Sequence, residues 1–212
     1  MSELMRLITL ILLLSTKLIA QISHAEFSEL LKYAVNGDSS SQLKLGDFFG
    51  CGNEFTQTEN STEGFKWYKK SAEQGTAEAK NSVGFYYMNG WGVKKNVVEA
   101  FKWWRDAAEN GDVTALYNIA WYYEHGDEGV TKNIVEAHAY YSIAGKSIYA
   151  LRAKTSGFRS ASTAQGACYK IQELEYQMTP TQIEAAKVRS KEIFEDLEPQ
   201  WWQLRWWKAL FT

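Results

Sequence analysis

Internal repetition constrains this chain more than any other feature, because a sequence that repeats every 36 or 37 residues must bury its apolar faces between neighbouring copies. Three segments align. The first holds Leu45-Gly46, Phe49, Gly64-Phe65-Lys66-Trp67-Tyr68, Ser71-Ala72 and Gly75. The second holds Val83-Gly84, Tyr87, Ala100-Phe101-Lys102-Trp103-Trp104, Ala107-Ala108 and Gly111. The third holds Ile119-Ala120, Tyr123, Ala137-His138-Ala139-Tyr140-Tyr141 and Ala144. A partial copy precedes them, with Tyr33-Ala34-Val35-Asn36-Gly37-Asp38 paralleling the end of the second.

The second copy shows what one unit folds into. Ala79, Ser82, Val83, Tyr86 and Tyr87 fall on one face of a helix A. Gly84 inside that helix costs about 1 kcal/mol against Ala, so it implies close approach by a neighbour. Asn89-Gly90-Trp91-Gly92 reads as a turn, its glycines free to take positive φ. Helix B follows, with Asn96 as N-cap and Glu99 as its capping-box partner. Ala100, Trp103, Trp104, Ala107 and Ala108 form its apolar face, Lys102 and Asp106 are spaced to pair across a turn, and Gly111 ends it. Two helices of this length cannot bury such faces alone, whereas stacked neighbours can.

The spacing Leu-Gly-x-x-Tyr-x-x-Gly-x-Gly-Val, then Ala-x-x-Trp-Tyr-x-x-Ala-Ala-x-x-Gly, resembles the Sel1-like repeat. Residues Val83 to Val93 carry nearly all of its first half. The first copy departs from it, since Gly50-Cys51-Gly52-Asn53 lacks the Val, and the third has an extra residue between Gly126 and Val130. Thr179-Pro180-Thr181-Gln182 resembles the start of the family's closing helix, with Thr179 as N-cap, Pro180 at N1 and Gln182 completing a capping box. The resemblance implies an all-α, right-handed solenoid of stacked helix pairs spanning residues 26–197, with copies at about 41–77, 79–113 and 115–147 and a C-terminal capping helix. Helices are expected over Phe27–Asn36, Ser41–Phe49, Ser61–Glu73, Ala79–Met88, Asn96–Glu109, Ala115–Glu124, Asn133–Ala144 and Thr179–Leu197. The polar stretch Lys146 to Gly166 reads as part loop.

The ends have other signatures. Leu7 to Leu14 is an apolar run, and Ser23-His24-Ala25 precedes Glu26 as a small-x-small cleavage site would. This fits a cleavable signal peptide over residues 1–25 and a periplasmic or secreted product; an uncleaved amphipathic or anchoring helix, or a start at Met5, is the alternative. Residues 198–212 form a tail holding Trp201, Trp202, Trp206 and Trp207. Three homes suit such a segment: the chain's own groove, a partner protein, or the surface of a membrane. Cys51 and Cys168, the two cysteines, are placed too many layers apart for an intrachain disulfide.

Function is read mainly by exclusion. The formal charge is −2, so no basic field exists to hold nucleic acid. Aromatic residues make up 15% of the chain, but they recur at helical spacing and therefore read as core. Three His lack metal-ligand spacing, and no cofactor is implied. Ser41-Gln42-Leu43-Lys44 matches the Ser-x-x-Lys of penicillin-recognising enzymes without their companion motifs. Cysteine-rich relatives carry a β-lactamase label, and two Cys do not match that branch. The expected function is therefore a binding scaffold of the envelope or secreted fraction, without catalysis. Its partner is a protein, or a cell-envelope glycan; a β-lactamase-like or other cell-wall hydrolase is the alternative. The expected binding strip lies on the A helices opposite the packing face: Asp47 in the first copy, Asn81, Phe85 and Met88 in the second, and Tyr117, Trp121 and Glu124 in the third. Solenoids commonly bind along their concave side.

Overall fold

The computed structural model describes residues 24–50, 61–151 and 158–197. Nine helices occupy them: α1 over 24–35, α2 Ser39–Gly50, α3 Ser61–Glu73, α4 Ala77–Asn89, α5 Val97–Glu109, α6 Val113–His125, α7 Ile134–Leu151, α8 Phe158–Glu175 and α9 Pro180–Asp196. Among the described residues there is no strand, and Asp127 and Val130 make a lone bridge in a turn. The architecture is an all-α repeat solenoid. Helices α2/α3, α4/α5 and α6/α7 are antiparallel pairs, joined through α3 against α4 and α5 against α6.

The chain turns where the sequence places its glycines and caps. Gly37, Gly75 and Gly111 adopt φ of 97°, 94° and 94°, so each B-to-A turn uses the same left-handed residue. An oxygen-bearing side chain opens most of the next helices. Asp38 accepts from the Ser41 N–H, Asn96 from Glu99, Asp112 from Thr114 and Ala115, and Asn133 from Val135 and Glu136. The Thr179–Gln182 capping box is present in both directions. Because Thr76 and Asp112 sit at the N-caps, α4 and α6 begin two residues earlier than the periodicity of their apolar faces indicates.

Close approach explains the interior glycines. A Cβ on Gly84 would lie 2.6 Å from Trp104 Cδ1, so the indole of α5 lies directly on the backbone of α4. Gly46 meets Tyr68 in the same way one repeat earlier. Trp104 is fully buried, stacks on Tyr122 at 5.3 Å and donates its indole N–H to the Asn81 carbonyl at 3.1 Å. The main core runs from Met88 through α5, α6 and α7 to Ala164, Ala167 and Leu174 of α8 and Ile193 of α9.

Two expectations are corrected. Lys146 to Gly166, read as part loop, is helical in all of its described residues, since α7 continues to Leu151 and α8 starts at Phe158. Helix α8 packs on α7 and α6, with Ala164, Ala167, Ile171 and Leu174 on one face. Ser, Thr and Gly among those positions hide the helical period, and tertiary packing overrides their weak propensity. Asp106 pairs with Lys80 of α4 at 2.8 Å rather than with Lys102, which lies 3.7 Å from Glu99. The short Lys80–Asp106 bridge ties the two helices of a pair together. The proposed signal segment, Cys51 and the tail with Trp201, Trp202, Trp206 and Trp207 lie outside the described residues, apart from His24 and Ala25 in α1. Cys168 is a free thiol. No described helix is long and apolar enough to cross a membrane.

Candidate partner-binding face

Neighbouring A helices are held in register by side-chain amides. Asn118 Nδ2 of α6 donates to Asn81 Oδ1 of α4 at 2.9 Å, and the Asn81 carbonyl already holds Trp104. One turn further on, Phe85 of α4 and Trp121 of α6 emerge at equivalent positions, 37% and 40% exposed. Phe85 meets Trp91 of the glycine turn edge to face at 5.2 Å, and Trp121 stacks on His125 at 4.3 Å. Each ring is thus braced on one side and open on the other.

The remaining strip residues divide. Asp47 is exposed on α2 and accepts the Tyr68 hydroxyl at 2.8 Å, which ties it to α3. Tyr117 is half-buried, 5.1 Å from the Tyr141 ring and against Gly166 of α8. Met88 and Glu124 do not belong to an open face, being 1% and 9% exposed. They occupy equivalent positions, and three residues beyond Phe85 or Trp121 a helix falls about 60° short of a full turn. That rotation carries them into the packing interface. Met88 joins the main core, while Glu124 accepts the Tyr141 hydroxyl at 2.8 Å and Lys170 Nζ of α8 at 3.0 Å.

The structure exposes further rings. Tyr169 of α8, next to the Lys170 that bonds Glu124, is 67% exposed. It was missed because α8 itself was. Trp91, read from sequence as a turn residue, is also exposed and extends the strip beside Phe85. A Trp inside Asn-Gly-x-Gly was the available signal, since a turn has no need of so large a ring.

The family model described as Sel1 repeat matches residues 39–76, 77–112 and 113–147, just over half of the chain. The chain belongs to the Sel1 repeat family. Among solved structures it is similar to c5321, a protective antigen present in uropathogenic Escherichia coli strains and displaying an SLR fold. That likeness has 26% identity and a TM-score of 0.62, covering 86% of this chain and 35% of the other. The chain thus spans about a third of that protein's length. A Sel1 repeat protein from Oxalobacter formigenes is 28% identical over 54% of this chain and 86% of its own, with a TM-score of 0.48. No curated protein matches the chain.

The chemistry-bearing groups of this Sel1 repeat chain are built into its joints. Ser41 is buried, its N–H held by the Asp38 carboxylate at 2.7 Å, and Lys44 is exposed. His125, read as a turn residue, is the last residue of α6. His138 is buried between α7 and α8, its Nε2 3.1 Å from Glu175 Oε1 and its Nδ1 3.4 Å from Ser142 Oγ. The Ser–His–carboxylate order invites comparison with acyl-transfer sites. Ser142 itself is buried within α7. The trio links α8 to α7. Burial pushes the Asp112 carboxyl up to about 6 against the pull of its two backbone N–H bonds. Burial and the Glu124 carboxylate push the Tyr141 hydroxyl far up, which keeps it a donor. Among the described residues no group of three His, Cys, Asp or Glu is placed to hold a metal ion.

Proposed function

We propose that this chain is an exported, non-catalytic scaffold of the cell envelope or secreted fraction that binds a partner protein along its A helices. Sel1 repeats are interaction repeats, and fold alone does not name a function. The observation that carries the reading is the strip of exposed rings on successive A helices, held rigid by the Asn81–Asn118 bond. Open aromatic surface repeated at one position per helix has a cost in water that a bound partner removes.

Pull-down from envelope extract tests the reading. The chain should retain a discrete partner, and Phe85→Ala with Trp121→Ala should abolish retention while the circular dichroism spectrum stays helical. Retention unchanged in the double variant refutes the strip as the interface. Export is tested separately. The native protein should start at Glu26 outside the cytoplasm, and a native start at Met1 in a soluble cytoplasmic fraction refutes it.

A further inference from the structure

A recess lies between α5 and the turn that leads into α7. Val97, Val98 and Phe101 of α5, Tyr123 of α6 and the turn from Gly129 to Asn133 line a volume of about 520 Å³. Tyr123 is two residues beyond Trp121, about 200° around α6, so the recess faces away from the strip. The turn is fixed at both ends. The Asn133 N–H donates to the Tyr123 carbonyl at 2.7 Å, and a Cβ on Gly129 would lie 3.1 Å from Val97 Cγ2. Phe101 meets Tyr123 edge to face at 5.5 Å, and Tyr123 stacks on Tyr140 of α7 at 5.9 Å. Three rings in contact therefore run from α5 to α7.

This row of rings carries two hydroxyls. Tyr140 is 6% exposed, yet neither its hydroxyl nor that of Tyr123 bonds another described residue. Burial pushes the Tyr140 hydroxyl up to about 12 and raises that of Tyr123, so both stay donors. The charged side chains acting on both are Glu136 of α7, Arg189 of α9 and Arg105 of α5. Glu136 is taken by Arg189 Nε at 2.7 Å, and Arg189 Nη1 also holds Glu192 at 2.9 Å. Arg105 is exposed and makes no ion pair among the described residues; Glu109, one turn along α5, feels its charge without pairing. One unpaired guanidinium beside two hydroxyl donors balances a single negative charge, which a carboxylate carries and a phosphate exceeds. The other walls are apolar, and Val98 is 77% exposed. Phe101 and Arg105 are four residues apart in α5, about 6 Å along its axis. An extended chain covers that distance with two residues, whose side chains share one face.

We infer that this recess binds an extended segment of a partner protein in which an apolar side chain and an Asp or Glu stand two residues apart. The apolar side chain lies on Phe101 and the valines, and the carboxylate meets Arg105 and the hydroxyls of Tyr123 and Tyr140. The chain's own tail does not fit, because residues 199–212 carry Arg205 and Lys208 and no acidic side chain. The site adds a second contact surface to the scaffold reading and is independent of Phe85 and Trp121.

The test uses the full chain and two dye-labelled, amide-capped ten-residue peptides of Ser and Gly, one with Leu-Ser-Glu and one with Glu-Ser-Leu at the centre, followed by fluorescence anisotropy. At least one should bind, and Gln for its Glu should weaken it at least fivefold. Arg105→Gln, at a site too exposed to threaten the fold, should weaken it about tenfold. Tyr140→Phe, which removes only the hydroxyl, should weaken it severalfold with an unchanged circular dichroism spectrum. Phe85→Ala with Trp121→Ala should leave peptide binding unchanged. No binding of either peptide, equal binding of the Glu and Gln forms, or full binding by Arg105→Gln overturns the proposal. So does loss of peptide binding in the Phe85 and Trp121 double variant, displacement by inorganic phosphate, or binding seen only after residues 198–212 are removed. If Phe85 and Trp121 still govern partner retention from extract while the peptides do not bind, this inference fails and the scaffold reading stands.

Discussion

Replacing Gly84 with Ala should destabilise the protein, although Ala is the better helix former. The gain in helix propensity is about 1 kcal/mol. Against it, the new Cβ lies 2.6 Å from both Cδ1 and Nε1 of Trp104 and 3.0 Å from the Ala100 carbonyl oxygen. Ordinary carbon contacts need about 3.5–4.0 Å, so the ring or α4 must move by about 1 Å. Trp104 has nowhere to go, being fully buried with Phe101 and Tyr122 packed against it at 5.7 Å and 5.3 Å. Overpacking of this kind costs about 1–3 kcal/mol. A displaced indole also loses the Asn81 carbonyl, and an unsatisfied buried N–H costs about 1–3 kcal/mol. The net expectation is a loss of about 3 kcal/mol, or a fall in Tm of about 6–12 °C for a chain of this size. Gly166→Ala is the control. It is also interior to a helix, but its Cβ would meet only Tyr117 at an ordinary 3.6 Å. It should gain about 0.5–1 kcal/mol. Thermal unfolding followed at 222 nm, with urea titration for free energies, reads both. If Gly84→Ala is as stable as the parent, or Gly166→Ala falls with it, the close-approach account of the interior glycines is wrong.

Asp112 and Lys170 give two further tests. Because the folded Asp112 carboxyl titrates at about 6 against 3.8 when free, the folded state holds its proton more tightly, and stability falls as pH rises through this window. Asp112→Asn keeps the capping oxygen and removes the buried charge, so urea unfolding at pH 7.5 should show a gain of about 1–3 kcal/mol that shrinks toward pH 4; a variant weaker at pH 7.5 contradicts the assignment. Lys170→Met strands Glu124, which is nearly fully buried, and should cost about 2–4 kcal/mol while raising hydrogen exchange in α8. Adding Glu124→Gln should recover part of the loss, and purely additive variants would mean that the pair does not couple α8 to α6.

The repeat unit was legible because its signals are local. The turn glycines, the capping side chains and the i, i+3, i+4 faces each depend on a few consecutive residues. Thr179-Pro180-Thr181-Gln182 and Asn96 therefore appear in the structure in the roles their sequence indicates. Gly84 was legible as a close approach, although its neighbour was not. Helix α8 was not legible, because its apolar positions are mostly small, and Ser, Thr and Gly between them weaken its period. Only packing on α6 and α7 selects its face.

The strip divides the same way. Sequence spacing placed Asn81, Phe85, Tyr117 and Trp121 on the side of the A helices opposite the main packing face, and Phe85 and Trp121 are open there. It could not separate these from Met88 and Glu124, one turn along, because the boundary between an open face and a buried one depends on which helix stacks alongside. The sequence by itself determined a helical repeat, its turns and its caps, since backbone conformation follows from neighbouring residues. Tertiary structure alone decided that Glu124 bonds Lys170 and Tyr141 and that Asp106 pairs with Lys80. These partners lie from 17 to 46 residues apart in the bonded pairs, and no local periodicity encodes a contact across that separation.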